Sequence, residues 1–569
     1  MRFFRRAAVL LGGLLMYAHP AFSQAKKPAA ELPLKYTGKP TSPDITAADL
    51  MTRLYIFADD SMMGREVGTI YNDKGTAYIE REVRRLGLVP GGDNGTYFQN
   101  LPLFTLYADS ASTLSTGDKT FAFGSEFLPI GLGERRVTLD GKAVVYGGSI
   151  GDSTTWASAS DMEGKVVVLS PAGLAMQSFR MIRSPGSRFA KAAVVFVSYL
   201  DQLPARNRAF FLRSTAYMPD NPAAGVPMAL VSNSIASELF SAQDSLRAGA
   251  AGKPLRGTII LHQVQAPGRN VVAILPGSDA QLKGQYVAIG AHNDHIGFNQ
   301  RPVDHDSIRA FNAVARPQGA DSPAPTSLTP EQGARLRTMI DSLRALHPAR
   351  TDSIYNGADD DGSGSMSVLE IAESFANMSA RPKRSIVFVW HAGEEKGLWG
   401  AEYFTDHPTV PRDSIVAQLN MDMVGRGAAS DVTGEDKAGA LLYGGPGYLQ
   451  IVGSRRLSTE LGDLIEAVNA REKLGFKFDY GMDANGHQQN IYCRSDHYEY
   501  ARYGIPIAFL TTGGHSDYHQ VTDEPQYIDY AHMADVARLV RASATSIANL
   551  DHRIVVNRPK PDPKGRCVQ

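Results

Sequence analysis

The chain has 569 residues, more than one hydrophobic core usually serves, so we expect two domains plus tails. Its formal net charge is −1 and 21% of its residues are charged. Nucleic-acid-binding proteins normally carry a basic excess, so this balance argues against that class. Two cysteines, Cys493 and Cys567, do not make a disulfide framework, and the sequence leaves open whether they pair.

Residues 1–23 have the pattern of a signal peptide. Arg2, Arg5 and Arg6 precede an apolar run, residues 7–17, which is too short to span a bilayer comfortably. Small residues follow at the cleavage-determining positions. The pattern predicts an exported protein, periplasmic or extracellular, with no stable membrane span after signal removal. A retained membrane anchor is the alternative.

The leader and the first helices come next. Residues 24–44 are rich in Pro, Lys and Ala and are expected to form a flexible leader. An amphipathic helix is predicted for residues 76–88 and a strand for residues 97–107. We assign residues 45–136 to the first part of the main domain.

Residues 137–258 have a different sequence pattern, which predicts short strands separated by turns. Compact β-type runs occur at residues 143–146, 165–169, 192–197 and 228–231. No pair of acidic residues or histidines clusters in this part of the sequence. We therefore interpret residues 137–258 as a separate, small, β-rich and non-catalytic module.

Residues 259–550 return to the main domain and alternate between strand and helix patterns. The short apolar runs are typical of strands buried in a mostly parallel sheet; they are residues 271–275, 286–290, 386–390, 415–419 and 507–510. Helical patterns lie between several of them. The predicted fold class is α/β, a mostly parallel mixed sheet sandwiched by helices. Residues 551–569 are interpreted as a tail.

An insertion, residues 299–353, interrupts this alternation. It is rich in Pro, Ala and Arg and contains one predicted helix, residues 331–346. A segment of this length beside a site is either a functional lid or a disordered decoration. It leaves just after one candidate ligand and returns just before the next, which favours the lid.

Side chains able to bind metal ions follow the predicted strands. Each alone is more often an exposed or turn-capping residue. In open α/β sheets, however, the ligand crevice forms at the carboxyl ends of the strands, so their joint occurrence there favours one site. They are His292, Asp360, Glu394, Glu395, Asp422 and His519.

Asp360 belongs to an acidic stretch, residues 356–364, in which three adjacent carboxylates lie between glycines. One carboxylate can bridge two divalent cations, because each of its oxygens can face one ion. A solvated acidic turn is the alternative. An EF-hand is disfavoured, since its closing Glu and its ligand spacing are missing.

Taken in order, these motifs resemble the co-catalytic dizinc metallopeptidases, which include bacterial leucyl aminopeptidases, aminopeptidase Y and glutamate carboxypeptidases. The resemblance covers roughly residues 270–545. Its motifs are residues 292–295, 356–364, 394–398, 420–422, 494–497 and 517–519. In their pattern of short strands and turns, and in their position along the chain, residues 137–258 resemble the protease-associated domain that is often inserted in this family.

The resemblance implies two zinc ions. Asp360 would bridge them, Glu395 and His519 would complete one site, and His292 and Asp422 would complete the other. It also implies a cis peptide bond after Asp360.

The resemblance further implies catalytic roles. Glu394 would be the general base, and Tyr518 would help to hold the developing oxyanion. Asp294 would orient the ligand His292 from outside the metal shell.

The expected function is that of a zinc-dependent exopeptidase, an aminopeptidase that removes N-terminal residues from a peptide substrate. A carboxypeptidase or dipeptidase of the same fold is the first alternative, with Arg494 gripping a substrate carboxylate; a structural ion pair is an equally good interpretation of Arg494. The second alternative is a binding protein that uses metal ions as structural supports.

Overall fold

The structure is a computed structural model, and it describes residues 32–131, 134–174, 176–184, 186–203, 215–218, 225–240 and 246–569. The signal peptide predicted for residues 1–23 lies outside these ranges. Among the helices within them, none has both the length and the apolar character that a membrane crossing needs.

The described part of the chain forms two large sheets. The first has nine strands, in the order Val89–Pro90, Arg269–Leu275, Ser385–His391, Tyr286–His292, Ile415–Met421, Ile507–Thr511, Tyr448–Val452 and Lys477–Asp479, with Phe98–Asn100 beside Arg269–Leu275. The four strands from Ser385–His391 to Ile507–Thr511 are parallel. Antiparallel pairs flank them on both sides. The predicted α/β class with a mixed sheet is confirmed, with the parallel strands in its centre.

Helices cover both faces of this sheet, which is why its central strands are buried along their whole length. Side chains alternate between faces along a strand. Val287 accordingly packs in a cluster with Leu369 and Val536, whereas its neighbour Ala288 packs in another cluster with Phe404.

The described helices are Ala47–Phe57, Ile70–Arg85, Ala159–Met162, Met176–Arg183, Asn233–Leu239, His305–Ala315, Pro330–Leu346, Gly364–Ala376, Trp399–Asp406, Thr459–Glu472, His497–Ala501 and Tyr530–Asn549. The helix predicted for residues 331–346 is confirmed, and Thr329 begins it with a capping box. The helix predicted for residues 76–88 lies further towards the N-terminus, because Thr69 caps it.

The second sheet has ten strands in the described part of the chain. Their order is Thr215–Tyr217, Phe104–Ala108, Ala251–Gln265, Arg135–Ser149, Val166–Ser170, Val194–Ser198, Met228–Val231 and Phe127–Ile130, with Thr113–Thr116 and Lys119–Thr120 at the side. Its apolar side chains form clusters separate from those of the first sheet.

The second sheet includes strands between Phe104 and Ile130, which the sequence analysis assigned to the main domain. Their pairing explains the difference. Phe104–Ala108 and Thr113–Thr116 are short and lack a clear alternation, but both pair with the 15-residue strand Ala251–Gln265. The sequence predicts a strand over residues 97–107, but its place in the second sheet depends on a partner about 150 residues away in sequence.

The insertion is an ordered part of the first domain. Its two ends pair as antiparallel strands, Phe298–Asp304 with Thr351–Ile354. Two helices, His305–Ala315 and Pro330–Leu346, lie between them. A hairpin, Val432–Glu435 with Leu441–Tyr443, lies elsewhere in the domain.

Cys493 and Cys567 form a disulfide, which answers the question that the sequence left open. It joins the 551–569 tail to the turn Ile491–Cys493. Gln569 strengthens the same contact, since its Oε1 accepts a hydrogen bond from the backbone N–H of Tyr492 at 2.9 Å.

Candidate metal centre

Parallel strands place the predicted ligands at one edge of the first sheet. His292 is the last residue of Tyr286–His292, and Asp422 directly follows Ile415–Met421. Glu395 lies in a short turn after Ser385–His391. Because these strands run in the same direction, their carboxyl ends meet at the same edge.

Asp360 lies at the middle of the site. Its Oδ1 is 3.1 Å from Nε2 of His292, and its Oδ2 is 2.9 Å from Nε2 of His519. Asp422 Oδ1 is 3.7 Å from the same nitrogen of His292. Glu395 Oε2 is 3.0 Å from the same nitrogen of His519. The two oxygens of Asp360 therefore face two different half-sites, each with one histidine and one further carboxylate.

The donor set fits divalent metal ions. Ligand atoms lie within 4.8 Å of one another in two groups: His295, Asp360, Glu395 and His519, and His292, Asp361 and Asp422. Imidazole and carboxylate groups suit zinc among the common metals. Several buried carboxylates that share so small a space repel one another unless cations lie between them.

Burial and the charged groups of the site strongly shift the pKa values of its side chains. Burial alone would raise the pKa of Asp360, but His292 and His519 hold that pKa well below its usual value. Burial would lower the pKa of His519, but Glu395 and Asp360 raise it to about 11. Burial and the charges of Asp422 and Glu395 raise the pKa of Glu394 well above its usual value, against the opposing effect of His292.

Asp294 connects the first ligand to the turn that carries Glu394. Its Oδ1 accepts hydrogen bonds from the backbone N–H groups of Gly393 at 2.8 Å and of Glu394 at 3.2 Å. Nδ1 of His292 lies 3.2 Å from the backbone oxygen of Asp294 and 3.6 Å from its Oδ1. Asp294 thus contacts both the predicted ligand and the predicted base.

Backbone hydrogen bonds fix the acidic stretch. The Asp523 carboxylate accepts from the backbone N–H groups of Asp359 and Asp360 at 3.0 and 3.1 Å. Arg65 donates to the carbonyl oxygen of Gly357 at 2.8 Å. The peptide bond between Asp360 and Asp361 is cis. Since all three aspartates are buried, the alternative of a solvated acidic turn is wrong.

A pocket opens beside the ligands. Tyr518 lines it together with Asp360 and Glu394, and the Tyr518 ring stacks on that of His519 with centroids 4.0 Å apart. Burial, with the charges of Asp360 and Glu395, raises the pKa of Tyr518 well above its usual value. Arg494 also lines the pocket.

The interpretation of Arg494 as part of an ion pair agrees with the geometry. Its Nη1 lies 2.9 Å from Oδ2 of Asp321. Asp321 belongs to the insertion, at the end of the short turn Gly319–Asp321.

Sequence reasoning assigned no role to several neighbours of the ligands. Nδ1 of His295 lies 2.7 Å from Oε1 of Glu395, and Ser495 donates to Oδ2 of Asp422 at 2.7 Å. Oδ2 of Asp361 accepts from the backbone N–H of His292 at 3.0 Å. His295 and Asp361 stand next to predicted ligands in motifs already noted. Ser495 also lies in a motif already noted, residues 494–497, whereas Asp523 carries no such signal.

The comparisons with known proteins cover the same residues. The sequence model of Peptidase family M28 matches residues 270–544. Leucine aminopeptidase 1 of Coccidioides posadasii is 28% identical over 203 residues, which are 34% of this chain and 47% of that protein. Leucine aminopeptidase 1 of Aspergillus fumigatus is 26% identical over 200 residues, with the same shares. The chain spans about half the length of the curated relatives it matches.

Two solved structures are similar over most of their length. An aminopeptidase from Aneurinibacillus sp. strain AM-1 has a TM-score of 0.44 at 15% identity, covering 90% of this chain and 97% of that one. A zinc aminopeptidase from Bacillus subtilis has a TM-score of 0.45 at 15% identity, covering 88% and 95%. The match to Peptidase family M28 covers just under half of this chain, residues 270–544, and that stretch includes every predicted ligand.

Proposed function

We propose that this protein is a zinc-dependent aminopeptidase that removes N-terminal residues from peptides. The observation that carries the proposal is the position of Asp360, whose two oxygens face His292 and His519 on opposite sides. The match of residues 270–544 to a peptidase family supports the reaction class. The similarity to leucine aminopeptidases supports an action at the amino terminus.

Two zinc ions are part of the proposal. Asp360 would be shared between them, with His292 and Asp422 holding one and Glu395 and His519 the other. When bound, zinc supplies a Lewis acid and lowers the pKa of a water molecule towards neutrality.

Glu394 is proposed as the general base. It takes a proton from the attacking water and later delivers it to the leaving amine. The hydrogen bond from its own backbone N–H to Asp294 holds it beside His292, whose Nε2 is 4.0 Å from Oε2 of Glu394.

Tyr518 is proposed to donate a hydrogen bond to the oxyanion that develops on the scissile carbonyl. Its raised pKa keeps the hydroxyl group protonated at neutral pH, as a donor must be. Its ring is held against His519, which keeps the hydroxyl near the pocket.

The ion pair with Asp321 favours an aminopeptidase over a carboxypeptidase. A carboxypeptidase needs a cation that is available to the terminal carboxylate of its substrate. In this pocket Arg494 is the cation, and Asp321 neutralises it.

We also propose that the protein is exported and that the second sheet is a protease-associated domain. The disulfide between Cys493 and Cys567 is consistent with export, since disulfides persist in oxidising compartments. The strands of the second sheet lie between segments of chain that build the first sheet, as an inserted domain would.

The test uses Glu394→Gln and leucyl-p-nitroanilide, with and without a chelator. We expect the variant to keep its zinc, measured by elemental analysis, and to lose about 10²–10⁴-fold in turnover. Glu163→Gln, an exposed carboxylate near the second sheet, is the matched control and should change neither. Full turnover by Glu394→Gln contradicts the assignment of the base, and activity that survives complete chelation contradicts the metal mechanism.

A second arm compares amino-blocked with carboxyl-blocked dipeptides. An aminopeptidase cleaves only the carboxyl-blocked one, because it needs a free amino group. Cleavage of the amino-blocked dipeptide alone would instead support a carboxypeptidase.

A further inference from the structure

Arg494 and Asp321 form a two-point ion pair on the wall of the pocket. Nη1 of Arg494 lies 2.9 Å from Oδ2 of Asp321, and Nη2 donates to Oδ1 at 3.4 Å. This is the fork geometry with which guanidinium groups bind carboxylates. Each side chain is 38% exposed, so the pair is accessible to a substrate in the pocket.

The insertion places Asp321 in the pocket through a tight contact. The backbone N–H of Ala320 donates to the carbonyl oxygen of Tyr518 at 3.0 Å. A Cβ at Gly319 would lie 2.4 Å from that same oxygen, so the turn fits against Tyr518 only without a side chain. Arg309, also from the insertion, pairs with Asp517 at 3.0 Å. These contacts hold Asp321 in a defined position.

Arg494 is fixed just as closely to the metal centre. The next residue, Ser495, donates to Oδ2 of Asp422, one of the proposed ligands. The preceding residue, Cys493, is tied by the disulfide to Cys567. These two contacts hold the backbone at Arg494 beside the metal centre.

Arg494 is the one cation among the described residues that line the pocket. Among its described lining residues, the charged ones are Arg494, Asp321 and three carboxylates of the metal centre. The other walls are uncharged and include Met423, Gln450, Met482, Ile491 and Phe509. Without Asp321, Arg494 would be an unpaired cation facing this space, and such a cation binds carboxylates well.

We propose that Asp321 is a specificity-determining residue: by neutralising Arg494 it excludes peptides whose N-terminal side chain is acidic. A substrate carboxylate must displace Asp321 before it can reach Arg494. Discrimination against acidic substrates then comes from this competing contact, since specificity is a difference between two affinities. The inference rests on the proposed function for its substrate class. The competition between Asp321 and another carboxylate for Arg494, in contrast, depends only on this ion pair.

The experiment measures kcat/KM of the full chain on leucyl- and glutamyl-p-nitroanilide. Asp321→Asn should raise the glutamyl-to-leucyl ratio about tenfold or more, mainly through a lower KM for the glutamyl substrate. The double variant Asp321→Asn, Arg494→Gln should lose this gain. Asp341→Asn, an exposed aspartate on the helix Pro330–Leu346 of the insertion, is the matched control and should leave the ratio unchanged.

A parallel experiment identifies which substrate carboxylate competes with Asp321 for Arg494. Leucyl-glycine and leucyl-glycinamide differ only in the terminal carboxylate. If Asp321→Asn raises kcat/KM for leucyl-glycine but not for leucyl-glycinamide, the carboxylate that Asp321 excludes is the C-terminal one. That outcome overturns the restriction on N-terminal side chains.

A binding measurement separates failure of this inference from failure of the proposed function. Calorimetry with glutarate, and with glutaramide as the neutral probe, needs no turnover. Tighter glutarate binding by Asp321→Asn than by the wild type supports the competition, even if neither protein hydrolyses any aminoacyl substrate. An unchanged glutarate affinity together with an unchanged substrate ratio overturns it, and Asp321→Ala repeats the test if the Asn variant melts early.

Discussion

The two sheets contain similar strands but differ in the residues at the carboxyl ends of those strands. Val166–Ser170 in the second sheet and Ser385–His391 in the first are both apolar and buried. A turn with Pro171 and Gly173 comes after the former, whereas Glu394 and Glu395 come after the latter. Both groups of potential metal ligands found among the described residues lie at the first sheet. An apolar run therefore predicts burial, and the residues after it decide whether the strand serves a site.

The two sheets also differ in the kind of side chain that they bury. The core of the second sheet is made of apolar side chains such as Val195 and Phe196. The first sheet buries charged groups as well, which is costly unless each is paired or hydrogen-bonded. Arg65, Asp294 and Asp523 provide such partners around the acidic stretch and the Glu394 turn.

Removing the shared carboxylate is the change with the largest expected effect. Asp360→Asn should release metal and lower kcat/KM by about a thousandfold or more, because both proposed half-sites would lose a charged ligand. Elemental analysis and leucyl-p-nitroanilide hydrolysis provide the two measurements. Asp109→Asn, which removes a carboxylate paired with His262 in the second sheet, should change neither. Equal effects of the two substitutions would abolish the contrast between the sheets.

A core substitution in the second sheet tests whether the two sheets are independent. Phe196 is fully buried, so Phe196→Ala should cost about 3–5 kcal/mol in unfolding free energy. Calorimetry should show an earlier transition, while the zinc content and kcat/KM of the folded enzyme stay near wild-type values. Tyr107→Ala, at a side chain 42% exposed on the same sheet, is the control. Loss of zinc from Phe196→Ala below its first transition would contradict independence.

The contact between the insertion and Tyr518 can be tested at one glycine. Gly319 has φ +54°, and an added Cβ would meet the backbone of Tyr518. Gly319→Ala should lower kcat about tenfold, with zinc retained, because Tyr518 or the turn must move. Gly333→Ala, in the helix Pro330–Leu346, is the control and should be neutral or stabilising, because an added Cβ would make only an ordinary contact with Nη1 of Arg337 at 3.7 Å. An unchanged kcat for Gly319→Ala would show that the insertion does not position Tyr518.

The smallest expected effect concerns a buried histidine in the helix His497–Ala501, which packs against the first sheet. Burial lowers the pKa of His497 to about 3, and its ring stacks on Phe509 with centroids 4.6 Å apart. Because the folded-state pKa lies below the unfolded value, this residue stabilises the protein above pH 6.5 and loses that contribution as pH falls. Between pH 6.5 and 5.5 the loss should be about 1 kcal/mol.

His497→Phe keeps the stacking and removes the titration. The unfolding free energy of this variant should therefore fall less steeply over the same pH interval, as measured by urea unfolding in the presence of chelator. Parallel pH profiles for the two proteins would show that His497 does not titrate between the two states.

Much of the first sheet could be predicted because its information is local. The apolar runs gave the central strands, and the polar residues after them gave the predicted ligands, which the structure brings to one edge. The roles of these residues stay predictions until the variants are measured.

Other features depend on contacts that no local pattern records. Asp321 and Arg494 are 173 residues apart, and the serine that supports Asp422 is 73 residues from it. The short strands near Phe104 could be assigned to the second sheet only through their pairing with Ala251–Gln265. In each case a tertiary neighbour, and not the residue's own sequence context, determines its place.

The disulfide between Cys493 and Cys567 has a practical consequence for the choice of expression host. Cys493 immediately precedes Arg494, so an enzyme folded in a reducing cytosol would carry the guanidinium on a looser loop. We expect such preparations to contain normal zinc yet to show substrate preferences that vary from batch to batch, until oxidation restores the crosslink.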